Sequence, residues 1–191
     1  MTSHLEVEIK LPVADPEKME QQVRDAGAVP VTARVFEDNL VLDFPDSRLR
    51  DNRIMLRLRL VDGGGLVTVK EEIEGQGDYK VRRETETRVA DGAGLLATLQ
   101  AAGFTTIYRY QKYRRLFRAG DLVITLDELP LGHFLELEGE PDDIDRFADR
   151  LGFHRRDYIT ETYRTLHLRQ HSAAGHRDKP VALLFPEETT S

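Results

Sequence analysis

Charged and aliphatic residues alternate at period two through most of this chain, which restricts it to strands with two chemically opposite faces. In Leu5-Glu6-Val7-Glu8-Ile9-Lys10-Leu11, successive strand side chains point to opposite sides. Glu6, Glu8 and Lys10 therefore share one face, and Leu5, Val7, Ile9 and Leu11 the other. Ile54–Leu60 sets Arg57 and Arg59 against leucines, and Thr68 and Lys70 share a face farther on. Residues 80–88 align Lys80, Arg82, Glu84, Glu86 and Arg88. Lys112 alternates with Arg114, Thr125 with Asp127, and Glu136 with Glu138.

An antiparallel sheet with one wet face also alternates in this way, and for any single strand that explanation is simpler. Three features of the set favour another. The pattern appears on nearly every strand; acid pairs sit on the first and last strands with basic pairs between them; and many positions on the opposite face are large and aliphatic, as if helices covered them. Apolar residues outside and charges inside describe a closed or nearly closed barrel with a polar lumen. The expected class is α+β, with helices packed outside.

Strands are expected near 4–12, 31–43, 53–62, 66–73, 79–90, 107–118, 121–128 and 133–139. Pro45-Asp46-Ser47 reads as a turn, Gly63-Gly64-Gly65 as a hairpin loop, and Gly75-Gln76-Gly77-Asp78 as another loop. A first helix takes Asp15 as N-cap, Pro16 as its first residue and Gly27 as its C-terminal cap, with Met19, Val23 and Ala26 buried. A second runs from about Asp91 to Gly103 with Leu96, Leu99 and Ala102 inward. A third runs from Pro141 to Gly152, burying Ile144, Phe147 and Leu151. A short helix is expected around 160–168. Helix, glycine and strands recur in order near 15–43, 91–118 and 142–159, a hint of duplicated units without a clean repeat. Residues 1–170 form one domain, and 171–191 a mobile tail in which Val181 to Phe185 can dock and Glu187 and Glu188 are solvated.

The 191 residues suit one domain with a proper core. The chain has no cysteine, hence no disulfide or thiolate metal site. No apolar run approaches the ~20 residues of a membrane helix, and the N-terminus lacks a signal-like stretch, so a cytoplasmic protein with no membrane partner is expected. The net charge of -7 argues against a nucleic-acid partner. It leaves room for a small anion, because placement of the 27 Lys and Arg residues decides binding.

A lumen lined by ions is costly when empty, several kcal/mol for each unpaired ion even after relaxation. A polyanion on the Arg and Lys set, with divalent cations on the carboxylates, would satisfy both signs. Oxygen-only ligands favour Mg²⁺ or Mn²⁺ over zinc. Arginine grips phosphate oxygens in pairs and lysine acts as a point charge, so a triphosphate is the natural ligand.

The same residues resemble the CYTH family, the triphosphate tunnel metalloenzymes. Glu6-x-Glu8-x-Lys10 matches its opening signature, and further blocks follow in order: Asp43-Phe44-Pro45-Asp46 before Leu49-Arg50 and Leu56–Arg59; Thr68-Val69-Lys70; Arg82-x-Glu84-x-Glu86; Lys112-Tyr113-Arg114; Leu126-Asp127-Glu128. Gly132-His133-Phe134-Leu135-Glu136-Leu137-Glu138 is most similar to the branch named after class IV adenylate cyclases. The resemblance spans about residues 4–168. It implies an eight-stranded antiparallel β-barrel around a tunnel, a nucleoside or inorganic triphosphate substrate, and one or two Mg²⁺ or Mn²⁺ ions. It casts Glu6, Glu8, Asp127, Glu136 and Glu138 as metal carboxylates. Lys10, Arg57, Arg59, Lys70, Arg82, Lys112 and Arg114 would bind the triphosphate, with Lys10, Lys70 and Arg114 catalytic. Two positions depart from the family pattern: Val41-Leu42 replace an aromatic before Asp43, and Thr162-Tyr163 stands where Ser-Tyr is usual.

Two reactions fit this residue set. In a cyclase, the ribose 3′-hydroxyl of ATP attacks the α-phosphorus and releases pyrophosphate; in a triphosphatase, water attacks the terminal phosphorus of inorganic or thiamine triphosphate. A non-catalytic polyphosphate-binding module would be expected to lack the acid pairs, and a lipocalin-like barrel would line its lumen with apolar side chains. The chain is expected to be a monomer or homodimer. The histidines share no ligand spacing, and His133, beside the Glu136 strand, is the one nearest the chemistry. Gly63-Gly64-Gly65 lacks the Lys-Ser/Thr of a phosphate-binding P-loop. Tyr108, Tyr110 and Tyr113 read as packing residues.

Overall fold

The computed structural model describes residues 2–73, 77–176 and 182–186. Gly75, Gln76, Val181, Glu187 and Glu188 lie outside the described residues. The strands are β1 (Thr2–Val13), β2 (Val29–Asp43), β3 (Ile54–Val61), β4 (Gly64–Glu72), β5 (Lys80–Val89), β6 (Thr105–Ala119), β7 (Leu122–Leu129) and β8 (Gly132–Glu138). They close into a ring in the order β2-β3-β4-β5-β1-β8-β7-β6, with β6 pairing back to β2. All neighbours in the ring are antiparallel. Closure satisfies the backbone groups that an open sheet leaves at its edges. A short strand β9 (Ala182–Leu183) lies parallel to β6 at Arg109 and Tyr110.

Among the described residues five α-helices accompany the ring: α1 (Pro16–Asp25), α2 (Arg48–Asp51), α3 (Gly92–Ala101), α4 (Pro141–Arg150) and α5 (Tyr163–Ala173). None among the described residues is long and apolar enough to cross a membrane. The side chain of Asp15 accepts a hydrogen bond from the Lys18 amide at 3.0 Å, Pro16 opens α1, and Gly27 follows it at φ +94°. Met19 and Val23 of α1 join Ile144, Phe147 and Ala148 of α4 in a core over the outer faces of β1, β6, β7 and β8. The alternating aliphatics Ile9, Leu11, Ile124, Leu126, Leu135 and Leu137 supply the sheet side of that core.

On the other flank, Leu95, Leu96 and Leu99 of α3 cover Leu42, Leu56 and Leu58. Ala102, expected to face inward, is exposed. The helix ends at Ala101, so Ala102 is its cap and leaves the apolar stripe. Leu95, one turn before Leu99, occupies that stripe instead. The β3–β4 hairpin turns at Asp62 (φ 49°) and Gly63 (φ 77°), two left-handed residues that match the twist of the flanking strands.

The segment after Pro45 contains helix α2, which its turn-like composition did not announce. Its cause is Asp43, whose buried carboxylate accepts from the backbone N–H groups of Phe44, Leu49 and Arg50 at 2.7, 3.0 and 3.1 Å. Helix α5 starts later and runs longer than the 160–168 expected. It lies across the end of the ring where β6 begins. There the Tyr163 ring is 5.3 Å from Phe134, and the Tyr108 hydroxyl is 2.8 Å from His167 Nδ1. Leu183 of β9 joins this aromatic cluster, and the Phe185 N–H donates to Gln111.

Candidate active site

The ring encloses a cavity of about 1020 Å³. Strand alternation carries one face of each strand into it, so the charges read from the sequence meet there. Glu6, Glu8, Lys10, Arg57, Arg59, Lys70, Arg82, Lys112, Arg114, Glu136 and Glu138 all line it. Asp127 does not. It sits behind the lining with 0% exposure, accepting from Lys112 Nζ at 2.7 Å, from two nitrogens of Arg114 and from the Tyr163 hydroxyl at 3.0 Å.

Register sets the acid group. Across β1 and β8, Glu8 stands opposite Glu138 and Lys10 opposite Glu136. Lys10 Nζ donates to Glu8 at 3.0 Å and lies 3.4 Å from Glu136. Arg82 reaches both Glu6 and Glu8, each at 3.0 Å. Lys70 lies 2.5 Å from Glu6 and 2.5 Å from Glu84. Arg114 joins Asp127 to Glu136, 2.5 Å from each. The basic group faces this one from β3 and β6. Arg57 donates to Thr68 at 3.3 Å and to the Tyr110 hydroxyl at 3.5 Å. Arg59 is held by Asn39 at 3.2 Å and Glu37 at 3.1 Å.

These neighbours set the protonation of the lumen. Burial alone would raise the carboxyls of Glu8 and Glu136. Lys10, Lys80 and Arg82 around Glu8, and Lys10 and Arg114 around Glu136, hold both well below the usual carboxylate range. Glu138 goes the other way: burial, then repulsion by Glu6, pushes it up to about 7. Its ion-pair contact is His4, 3.7 Å away. Burial likewise pulls Lys80 down to about 7, against the attraction of Glu8.

Among the described residues no three acids converge into a ready cage for a cation, because lysines and arginines hold them. The donor chemistry nevertheless fits a hard divalent ion. The acids are all oxygen donors, and Glu138 carries a charge that its surroundings repel and that a cation would relieve.

Several residues in the lumen lining, or like Asn39 just behind it, were not picked from the sequence. Glu37 and Asn39 were hidden because Asp38, on the opposite face, breaks the alternation around them. Lys80 and Glu84 were visible as part of a charged face but not as partners of Glu8 and Lys70. Tyr110, read as packing, touches Arg57. Tyr163 reaches Asp127 from a helix, and strand periodicity carries no trace of that. Of the histidines, His4 rather than His133 comes closest to the acid group.

Glu37 gives a prediction about stability. Burial disfavours its charge, but Lys112 and Arg59 outweigh that and lower its pKa from 4.5 to about 2. A depressed acid stabilises the fold above its unfolded pKa and loses that contribution as pH falls. The shift corresponds to about 3 kcal/mol at neutral pH, lost between roughly pH 4.5 and 2. Urea titrations from pH 7 to 2 should show that loss in the wild type and a flatter dependence in Glu37→Gln. Parallel curves would remove Glu37 from the charge network.

A family model described as the CYTH domain matches residues 4–163. No curated protein matches the chain. A Vibrio parahaemolyticus structure, provisionally named an adenylate cyclase, superposes with a TM-score of 0.75 at 21% identity, covering 87% of this chain and 99% of its own. A Pyrococcus horikoshii protein gives 0.69 at 22% identity, covering 83% and 96%. A Hippeastrum protein, provisionally named an adenylyl cyclase and described as having a dominant triphosphatase activity, gives 0.64 at 14%, covering 91% and 97%. Likeness at these identities bears on the fold.

Proposed function

This chain belongs to the CYTH family, and from that premise we propose that it is a metal-dependent enzyme that holds a triphosphate inside its barrel and hydrolyses the terminal phosphoanhydride. One observation carries the reading: acids and bases from seven of the eight ring strands, all but β7, meet in one cavity, a costly arrangement that a metal–triphosphate complex would offset.

Members of the family depend on a metal in general, and here Glu6, Glu8, Glu136 and Glu138 would hold Mg²⁺ or Mn²⁺. When bound, the ion supplies charge neutralisation at the phosphate oxygens. The remaining work falls to the chain. Arg57, Arg59 and Lys112 would grip non-bridging oxygens, Arg57 in an orientation fixed by Thr68 and Tyr110. Lys10, Lys70 and Arg82 now neutralise the acids and would turn to phosphate oxygens as the triphosphate enters. Arg114, held by Asp127 and Glu136, would stabilise charge on the reacting phosphoryl group. Phosphoryl transfer asks mainly for such positioning and charge stabilisation. Asp127 would act through Lys112, Arg114 and Tyr163 by fixing them.

Cyclisation of ATP is the second reading, favoured by the similarity of Gly132–Glu138 to the class IV cyclase branch. Product analysis separates the two. ATP and inorganic triphosphate, each with Mg²⁺ and with Mn²⁺, should yield inorganic phosphate. Cyclic AMP with pyrophosphate would replace hydrolysis by cyclisation, and inertness toward every triphosphate would defeat both. Arg57→Ala should raise KM for the triphosphate about tenfold or more, the scale of a lost charge-assisted contact. A change confined to thermal stability would make Arg57 structural.

A further inference from the structure

The barrel has a seam between β1 and β5. The two strands pair from Thr2 opposite Glu86 to Glu8 opposite Lys80, where β5 begins. β1 runs on to Val13 with β8 on its other edge. From Ile9 onward its β5-side edge therefore lies past the end of β5. Ile159 takes that edge: Lys10 and Ile159 exchange N–H···O bonds of 2.9 Å in each direction. Lys10 and Lys80 flank the seam, and both reach the same atom in the tunnel, Glu8 Oε1, at 3.0 and 2.9 Å.

Asp145, on α4 outside the barrel, holds both sides of this seam. Its Oδ1 accepts from the Tyr79 hydroxyl at 2.7 Å and from the Tyr158 hydroxyl at 2.9 Å. Tyr79 directly precedes Lys80, and Tyr158 directly precedes Ile159. Arg155, in the single 3₁₀ turn Arg155–Asp157, donates to Asp145 Oδ2 at 2.6 Å and to Asp78 at 3.3 Å. Both tyrosines pack against the core beneath α4. Alternation then turns the next residue of β5, Lys80, inward. Burial, then the bond to Asp145, pushes the Tyr79 hydroxyl up to about 12, so it remains a donor. Docking of α4 does not call for this cluster, since Ile144, Phe147 and Ala148 already bury its apolar face.

We infer that Asp145 is a positioning residue: by clamping Tyr79 to Tyr158 across the seam, it sets where Lys80 and Lys10 meet the triphosphate. The inference rests on the triphosphate reading above, and it adds Lys80 to the cations that hold phosphate oxygens. An ammonium on a loose strand end spreads over several positions, and a displacement of about 1 Å costs on the order of 10²-fold in rate. A carboxylate that fixes the chain on both sides of the seam removes that freedom from outside, without touching the ligand.

The test uses the full chain. kcat/KM is measured for ATP and inorganic triphosphate with Mn²⁺, and calorimetric titration with methylenated inorganic triphosphate gives binding independent of turnover. Asp145→Ala should lower kcat/KM about 10–100-fold and weaken binding of the analogue about tenfold. Asp145→Asn keeps an oxygen for the two hydroxyls and should stay within about threefold of the wild type. The decisive readout is a double-mutant cycle. With Lys80→Ala already in place, the cost of Asp145→Ala should shrink by about threefold or more, because one of the lysines it places is gone. Tyr79→Phe, which removes a single oxygen, supplies the same cycle if Asp145→Ala does not fold. Unchanged kcat/KM and binding in Asp145→Ala with only the melting temperature lowered, or a cost that is the same with and without Lys80, would overturn the inference and leave the triphosphate reading standing. Failure of the wild type to bind or turn over either triphosphate would defeat that reading itself.

Discussion

Glu136→Gln should lower metal-dependent turnover by on the order of 10²–10³-fold, the usual cost of losing one preorganised electrostatic partner at a reacting centre, while the barrel stays folded. Glu136 stands at the junction of the acid and basic groups, between Lys10 and Arg114. Glutamine keeps its length and can still accept from Thr125, which donates to Glu136 at 3.3 Å. Lys10 retains Glu8 and Arg114 retains Asp127, so neither cation is left without a partner. The loss therefore falls on the charge offered to a cation and its triphosphate rather than on folding. Steady-state rates across a Mn²⁺ titration, with thermal unfolding of the same samples, check this. Wild-type turnover in the variant would take Glu136 out of the site.

Arg114→Ala should cost stability as well as activity, about 3–5 kcal/mol. Its guanidinium is shared by Asp127 and Glu136. Burial works against its charge, but the two carboxylates hold its pKa well above the ordinary arginine value. Without it, Asp127 keeps only Lys112 and Tyr163 for a wholly enclosed charge. For a chain of this size the melting temperature should fall by roughly 10 °C. Arg114→Lys should recover much of the stability, because one cation again faces two acids. It should recover little of the rate, because an ammonium lacks the fork that two oxygens require. A melting temperature unchanged in Arg114→Ala would contradict the account of a carboxylate pair held by one guanidinium.

The faces of the strands were legible in the sequence because a period of two leaves no freedom: once Leu56, Leu58 and Leu60 are outside, Arg57 and Arg59 must be inside. The helix limits were legible where a cap residue marks them, as at Asp15 and Gly27. The partner of each charge was not. Glu6 meets Lys70 and Arg82, 64 and 76 residues away, and only the order of strands around the ring brings them together. That order places β1 between β5 and β8. Periodicity is a local property, and two sheets with the same alternating strands in another order would pair these ions differently. Helix α2 escaped notice for a related reason: the carboxylate that organises it belongs to the preceding strand.

The central claim is that one enclosed hollow takes both a divalent ion and a triphosphate. Crystals grown with Mn²⁺ and the non-hydrolysable methylenated inorganic triphosphate would test it most directly, with data collected at the manganese edge. The account predicts an anomalous peak among Glu6, Glu8, Glu136 and Glu138, with triphosphate density beside it against Arg57, Arg59 and Lys112. Manganese and triphosphate bound only on the outer surface, with Lys10 and Arg82 still closed on Glu8, would contradict it.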